Sequence, residues 1–433
     1  MLIEFSVKNY KSFKQKCTFS MVTGADKRLK KNVIAIDSIK PDLIRSAAIY
    51  GANASGKSNF VQALNFVESF VINSVDRAPN AKISVKPFAF DAEMLKAPSE
   101  FEVIFIHQHI RYQYGFILDT ERIYEEWLIA YPKGFPQTWY ERVYDEESDE
   151  YHWEFSKLLK GEKFKLTPLT RHNALFLSTA AKFNHEQLVP VFNWFQRHLN
   201  VLPPDMPKDV LEFVTSTMVL SNEKLQKLIQ QLLMEADLGI ADFTVTKKEK
   251  SRSSLLEYPV GMPDEVRDAL DILAGASAGS DELLVSIAHK VEGDSTVLLD
   301  LRDESLGTRR LYGLSGVIFT ALDDGDVLVI DELAANLHPL LVRALVNLFN
   351  DPHTNPKNAQ LIFNTHDTSL LDPTLLRRDQ IWFVEKNHEG ATELYALLEF
   401  KTRSTEAFER GYLQGRYGAI PVLGDWQGFF ADA

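Results

Sequence analysis

A chain of 433 residues, 45% apolar and 25% charged, has the balance of a soluble globular protein and exceeds what one hydrophobic core usually organises, so two or three lobes are expected. Its 60 acidic and 47 basic side chains give a net charge of −13, which excludes indiscriminate coating of nucleic acid. A single cysteine, Cys17, excludes an internal disulfide and a cysteine-ligated zinc, while Glu4 and the lack of any apolar run near ~18 residues point to a cytoplasmic protein with no membrane partner.

In chain order, Leu2–Val7 alternates as a half-buried strand. The stretch 1–31 carries eight Lys and Arg residues against Glu4 and Asp26, a local +6 that leaves about −19 for the remainder. Such a run is ordinarily a solvated surface, and it could also meet the phosphates of ATP or DNA. Next, Ala47–Tyr50 reads as a buried strand, and from Asn59 onward apolar residues recur at helical spacing. Between them lies Gly51-Ala52-Asn53-Ala54-Ser55-Gly56-Lys57-Ser58, a complete G-x-x-x-x-G-K-[ST] phosphate loop. Its glycines let successive N–H groups face one concavity, and the helix start adds its positive end to the same phosphates. Lys57 is placed to reach the β- and γ-phosphates and the Ser58 hydroxyl to hold Mg²⁺. Phe101–Ile106 and Tyr112–Leu118 are further strands, completing a mixed-sheet lobe over 1–125. His107-Gln108-His109 places two imidazoles on one face of an expected strand, a weak metal candidate without acids or cysteines nearby in sequence.

Residues 126–295 read as an inserted region. Tyr- and Trp-rich hairpin segments reach about residue 165, followed by helical patterns at Leu188–Leu199, Asp209–Val219 and Glu223–Glu235. The stripe Phe192, Trp194 and Phe195 is core rather than a base-stacking platform, and Ser251–Ser254 and Gly275–Ser280 read as loops. From 296 to 433 an α/β rhythm resumes, with strands at Thr296–Leu301, Val327–Ile330, Gln360–Asn364 and Gln380–Glu385. Asp323-Asp324-Gly325-Asp326 has turn composition. The strand Val327–Ile330 ends in Asp331-Glu332, placing two carboxylates at the carboxyl edge of a parallel sheet, where Asp331 would bind Mg²⁺ and Glu332 polarise the attacking water. Upstream, Glu304-Ser305-Leu306-Gly307-Thr308 ends a strand and opens a helix, a hydroxyl and free N–H groups suited to an anion.

The order of these motifs resembles that of ABC-type ATPases of the SMC, RecF and OLD branch. There a Ser-x-Gly signature precedes the second acidic motif, as Ser305 precedes Asp331 by 26 residues, and a switch histidine follows, as His366 does in Asn364-Thr365-His366-Asp367. Phe5 to Phe13 is similar to the branch's first strand, whose basic-Ser pair, here Lys11 and Ser12, lies near the nucleotide. Small bacterial RloA-like and AbiL-like abortive-infection ATPases share Glu-Ser-x-Gly-Thr-x-Arg, Asp-Glu-x-x-x-x-Leu-His-Pro, Arg377 to Phe383 and Tyr412 to Pro421. Thr308 stands where transporter-type enzymes often have Gln, and Gln113 is the best guess for a Q-loop glutamine.

That resemblance implies an α/β fold, an ABC-type P-loop ATPase of two lobes with an inserted hairpin and helical region. It implies Mg²⁺-dependent ATP hydrolysis with Lys57, Glu332 and His366 catalytic, Asn59 beside the loop, and Ser305, Gly307 and Thr308 serving the opposite subunit of a homodimer or higher even oligomer. It also implies a sensor or switch in anti-phage abortive infection, with a separately encoded nuclease or toxin as effector and DNA or a phage protein as trigger. The alternative is a RecF-like repair or recombination ATPase clamping DNA. The 67 residues after His366 lack the Asp-x-Asp of an OLD-type nuclease, so no nuclease is expected in this chain.

Overall fold

The computed structural model describes residues 1–36, 42–204, 206–236, 239–248, 282–291, 295–401 and 407–421. The chain divides into two compact units, Met1–Asp205 with Ala321–Ala433, and Met206–Thr320. The first unit opens with β1 (Leu2–Lys8) and β2 (Cys17–Ser20), then a short ladder of β3 (Val33–Ile34) and β4 (Leu43–Ile44). Next comes β5 (Ser46–Tyr50), buried along its whole length, which runs through the phosphate loop into α1 (Lys57–Asn73). Five consecutive strands follow: β6 (Ser99–His107), β7 (Ile110–Leu118), β8 (Ile123–Tyr131), β9 (Gln137–Asp145) and β10 (Glu150–Phe155). With β1 and β2 they form a seven-stranded sheet in the order β10-β9-β8-β7-β6-β1-β2, antiparallel throughout.

The expected division at residue 125 thus runs through β8, and the hairpins beyond it extend the first sheet, because short turns let neighbouring strands pair at once. The helices α2 (Lys163–Leu166), α3 (Phe176–Lys182) and α4 (Val189–Asn193) lead into a π-helical turn at Trp194–His198 and then β11 (Leu199–Leu202). A helix was expected through Leu199. Instead Leu199 starts a strand whose burial alternates, and it pairs in parallel with the strand that carries Asp331. Apolar residues at Leu199, Val201 and Leu202 satisfy either period, so neighbours decide.

The second unit contains α5 (Lys208–Ser221), α6 (Glu223–Glu235), β12 (Ile240–Lys248), β13 (Glu282–Lys290) and β14 (Thr296–Asp300), from which the chain enters α7 (Leu306–Asp324). The strand expected at Thr296–Leu301 belongs to an antiparallel sheet, β12-β13-β14, rather than to the parallel one. The loops expected at Ser251–Ser254 and Gly275–Ser280 lie outside the described residues.

Back in the first unit are β15 (Val327–Ile330), α8 (Pro339–Asn350), β16 (Gln360–Asn364), β17 (Ile381–Lys386), β18 (Thr392–Ala396) and α9 (Phe408–Leu413). The six-stranded order is β11-β15-β16-β5-β17-β18, parallel except for β18. Helix α1 packs against both sheets: Phe60 meets Phe5 and Phe19 at ring distances of 5.7 and 5.1 Å, and Phe19 meets Trp382 of β17 at 5.0 Å. Burying a ring such as Phe60 contributes about 2–3 kcal/mol, so this core anchors the helix that bears Lys57 and Ser58. Trp194 and Phe195 are fully buried, with Phe192 packed against them, as core residues. Gln108 and His109 form the β6–β7 turn with φ of 48° and 64°, so His107 and His109 do not share a strand face. Among the described residues no group of three or more His, Cys, Asp or Glu is arranged for a metal ion, and no helix is long and apolar enough to cross a membrane.

Candidate nucleotide site

Parallel pairing brings three strand ends to one edge. In the order β15-β16-β5, Ile330 pairs with Phe363 and Asn364 with Ile49, so Asp331, His366 and the phosphate loop leave the sheet together. The loop needs both its glycines. A Cβ on Gly51 would collide with the Val384 carbonyl, and one on Gly56, whose φ is +120°, would collide with the Thr392 hydroxyl. Ala54 also takes a left-handed φ of 61°. Asn53 and Ala54 are exposed at the tip, whereas Gly51, Ser55, Gly56 and Lys57 are buried and Ala52, Ser58 and Asn59 half-buried.

Lys57 folds back to donate to the carbonyls of Gly51 at 2.8 Å and Ala52 at 2.9 Å. Burial pulls its ammonium down to about 8, against the opposing pull of Glu332 and Asp331. Ser58 Oγ donates to Asp331 Oδ2 at 3.2 Å, joining the first motif to the second. Burial raises the Asp331 carboxyl, opposed by hydrogen bonds from Asn364 and Ser58. Asn364 serves both acids: its Nδ2 donates to Asp331 Oδ1, and its Oδ1 accepts the Glu332 N–H at 2.7 Å. That bond holds Glu332 at a positive φ of 51°, a conformation costly for a residue with a side chain, and Glu332 remains exposed. His366 is also exposed, and partial burial first, then Lys57, lowers its pKa and favours the neutral imidazole.

The opening strand delivers Ser12 to the back of the loop. Asn59 Nδ2 donates to Ser12 Oγ at 2.7 Å, and Thr392 Oγ1 lies 2.8 Å from Ser12 Oγ and 2.7 Å from the Ser55 carbonyl. Lys11, at φ 51°, directs its ammonium to Gln62 Oε1 on α1. Gln113 lies in β7, donating to Glu102 Oε2 at 2.9 Å and accepting from the Tyr131 hydroxyl at 3.2 Å. Two contributors, Asn364 and Thr392, lie outside the residues that the motifs single out. Asn364 was visible as the strand end before Thr365-His366, but its double role needs the β15–β16 register; Thr392 carries no sequence signal at all.

In the second unit, Ser305 and Leu306 are exposed, Gly307 is half-buried and Thr308 is buried. Ser305 Oγ accepts the Thr308 N–H at 3.1 Å and lies 2.9 Å from Thr308 Oγ1, which caps α7. Behind the cap, Arg309 forks onto Glu212 of α5 at 2.8 and 2.9 Å, and His289 Nε2 lies 2.5 Å from Glu304 Oε1.

A phosphate loop between a parallel strand and a helix, with an acid pair at the neighbouring strand end, defines a P-loop ATPase domain of the AAA/ABC type. The chain belongs to the family described as "AAA domain, putative AbiEii toxin, Type IV TA system", whose sequence model matches residues 46–372, from β5 through the turn after β16. No curated protein matches the sequence. Among solved structures, an SmcHead bound to the C-winged helix domain of ScpA is similar at 14% identity and a TM-score of 0.44, over 91% of this chain and 97% of that one. The SMC head domain from Thermotoga maritima is similar at 13% identity and 0.41, over 91% and 98%. It is the chain's own sheet order and phosphate loop, with the family match, that define the class.

Proposed function

We propose that this ATPase hydrolyses ATP in sites shared between two copies of the chain and acts as the sensor or switch of an abortive-infection system with a separate effector. The observation that carries the hydrolytic part is the Ser58–Asp331–Asn364–Glu332 chain of hydrogen bonds at the edge of the parallel sheet. The residues fit a triphosphate and its Mg²⁺. The Ser55 hydroxyl is buried without a hydrogen-bond partner in the loop, and Ser58 Oγ and Asp331 Oδ2 are the hard oxygen donors such an ion takes. When bound, the ion neutralises charge developing on the phosphates. Lys57 releases its two carbonyls to meet the β- and γ-phosphates, Glu332 orients and polarises water from its exposed position, and His366 meets the γ-phosphate as a neutral donor.

Ser305 and Gly307 fit the partner's γ-phosphate because an exposed Ser305 and a half-buried Gly307 open α7, while buried Thr308 holds the Ser305 hydroxyl in place through its N–H and hydroxyl. The family description supports the abortive-infection role. The DNA-clamping alternative finds less support, since Lys14, Lys16 and Arg28 of the basic stretch are engaged with Asp91 and Glu389, Glu100 and Asp26. The decisive experiment is Glu332→Gln. It should bind ATP, lose hydrolysis by a factor on the order of 10²–10⁴ and accumulate as a dimer in light scattering. Turnover equal to wild type would remove Glu332 from the chemistry, and co-purification with the neighbouring gene product tests the effector.

A further inference from the structure

β10 is the outermost strand of the seven-stranded sheet, and among the described residues nothing pairs with its free edge. The Ser156 N–H donates to the Trp139 carbonyl at 3.0 Å, so the even-numbered residues of β10 bond to β9, and the N–H and C=O groups of Tyr151, Trp153 and Phe155 point outward. Such an edge is a template for another strand unless something blunts it. The ladder to β9 runs from Glu150 to Phe155 without a bulge, and the strand holds no proline. Exposed charge sits instead at its two ends, with opposite signs. In and beside the β9–β10 turn, Asp149 is held by Arg122 and Tyr144, and Glu146, Glu147 and Glu150 stand exposed. Just past Phe155, Lys165 is held by Glu162, and Lys157 and Lys160 stand exposed.

Opposite charges at the two ends make the strand complementary to a copy of itself running antiparallel. Because the outward groups belong to odd-numbered residues, an antiparallel copy must pair odd with odd, and the two most central registers pivot on His152 or on Trp153. A pivot on His152 sets Glu150 against the second copy's Glu154, like charge on like. A pivot on Trp153 sets His152 against that Glu154 on the exposed face. On the half-buried face it sets Trp153 against Trp153 and Tyr151 against Phe155, extending rings that already stack, Trp153 on Phe155 at 5.8 Å. Carried past the strand ends, the same register brings Asp149 toward Lys157 and Glu146 toward Lys160 of the second copy, and the reverse at the other end. Parallel pairing would put acid on acid and base on base.

We propose that a second copy of this chain adds its β10 to this edge by a two-fold antiparallel pairing centred on Trp153, forming an interface that needs no nucleotide. The inference is independent of the phosphate-loop reading. It is tested by sedimentation equilibrium of the full chain without nucleotide, as wild type, as Glu146→Lys with Glu147→Lys, and as Lys157→Glu with Lys160→Glu. Wild type should dimerise. Each double variant alone, whose end charges no longer complement a like copy, should dimerise roughly 10- to 100-fold more weakly. Mixed in equal amounts, the two variants should form a heterodimer with an affinity close to that of wild type, because each supplies the sign the other lacks. A monomeric wild type overturns the proposal, as does wild-type affinity in both variants. A mixture as weak as the separate variants overturns it too, since the charges would then act within one chain and not between copies.

Discussion

Around the phosphate loop, half-buried Ser58 and buried Asp331 are bonded to each other from distant parts of the chain, whereas Ser305 is exposed and its hydroxyl caps its own helix. The first arrangement depends on three strands being in register; the second depends on four consecutive residues. The contrast teaches that the Ser58–Asp331–Asn364–Glu332 network forms only once the parallel sheet is in register, while the Ser305 cap is built locally and left exposed, which suits the proposed role toward a second copy.

That contrast can be broken most sharply by separating the two halves. Lys57→Ala and Ser305→Arg should each abolish turnover in homogeneous preparations. Mixed in equal amounts, they should recover about a quarter of wild-type ATPase, because half of a randomly assorted dimer population holds one intact site. No recovery after verified subunit exchange would place Ser305 and Lys57 in one site of the same chain. A smaller effect probes the assembled half: Asn364→Ala should cost about 1–3 kcal/mol in urea unfolding by stripping Asp331 and the Glu332 N–H of their buried partner. Its hydrolysis should fall more than its ATP affinity, and an unchanged kcat would leave Asn364 a purely structural residue.

The mildest test is pH. Lys57 is held near 8 in the folded chain, below its ordinary 10.5, so between those values the unfolded chain binds more protons and this group's unfavourable contribution to stability is relieved as pH rises. A bound triphosphate keeps the proton on. ATP affinity should therefore decline above pH 8, approaching about tenfold per unit, with proton uptake visible as buffer-dependent binding heat. A flat affinity from pH 7 to 9 would show that Lys57 is already fully charged in the free site.

Legibility followed the range of the interaction that decides each feature. Gly51 to Ser58 and Asp331-Glu332 are contiguous and backed by apolar strands, so their place at strand ends could be read from the sequence. The Leu199–Leu202 strand and the β14 edge could not, since the same apolar residues serve more than one pairing and only neighbouring chain selects between them. Thr392 is the extreme case: 337 residues from Ser55, it became part of the loop's support through β18 alone.

By itself the sequence determined a P-loop with an acid pair at a strand end: glycines that admit left-handed or crowded backbone, one lysine, one hydroxyl and two adjacent acids are local requirements that local residues meet. Tertiary structure alone decided which groups support them. The β15-β16-β5 register set Asn364 between Asp331 and Glu332, and β18 brought Thr392 to Ser12 and the Ser55 carbonyl, because those contacts exist only once parallel strands distant in the chain have paired and buried their apolar faces.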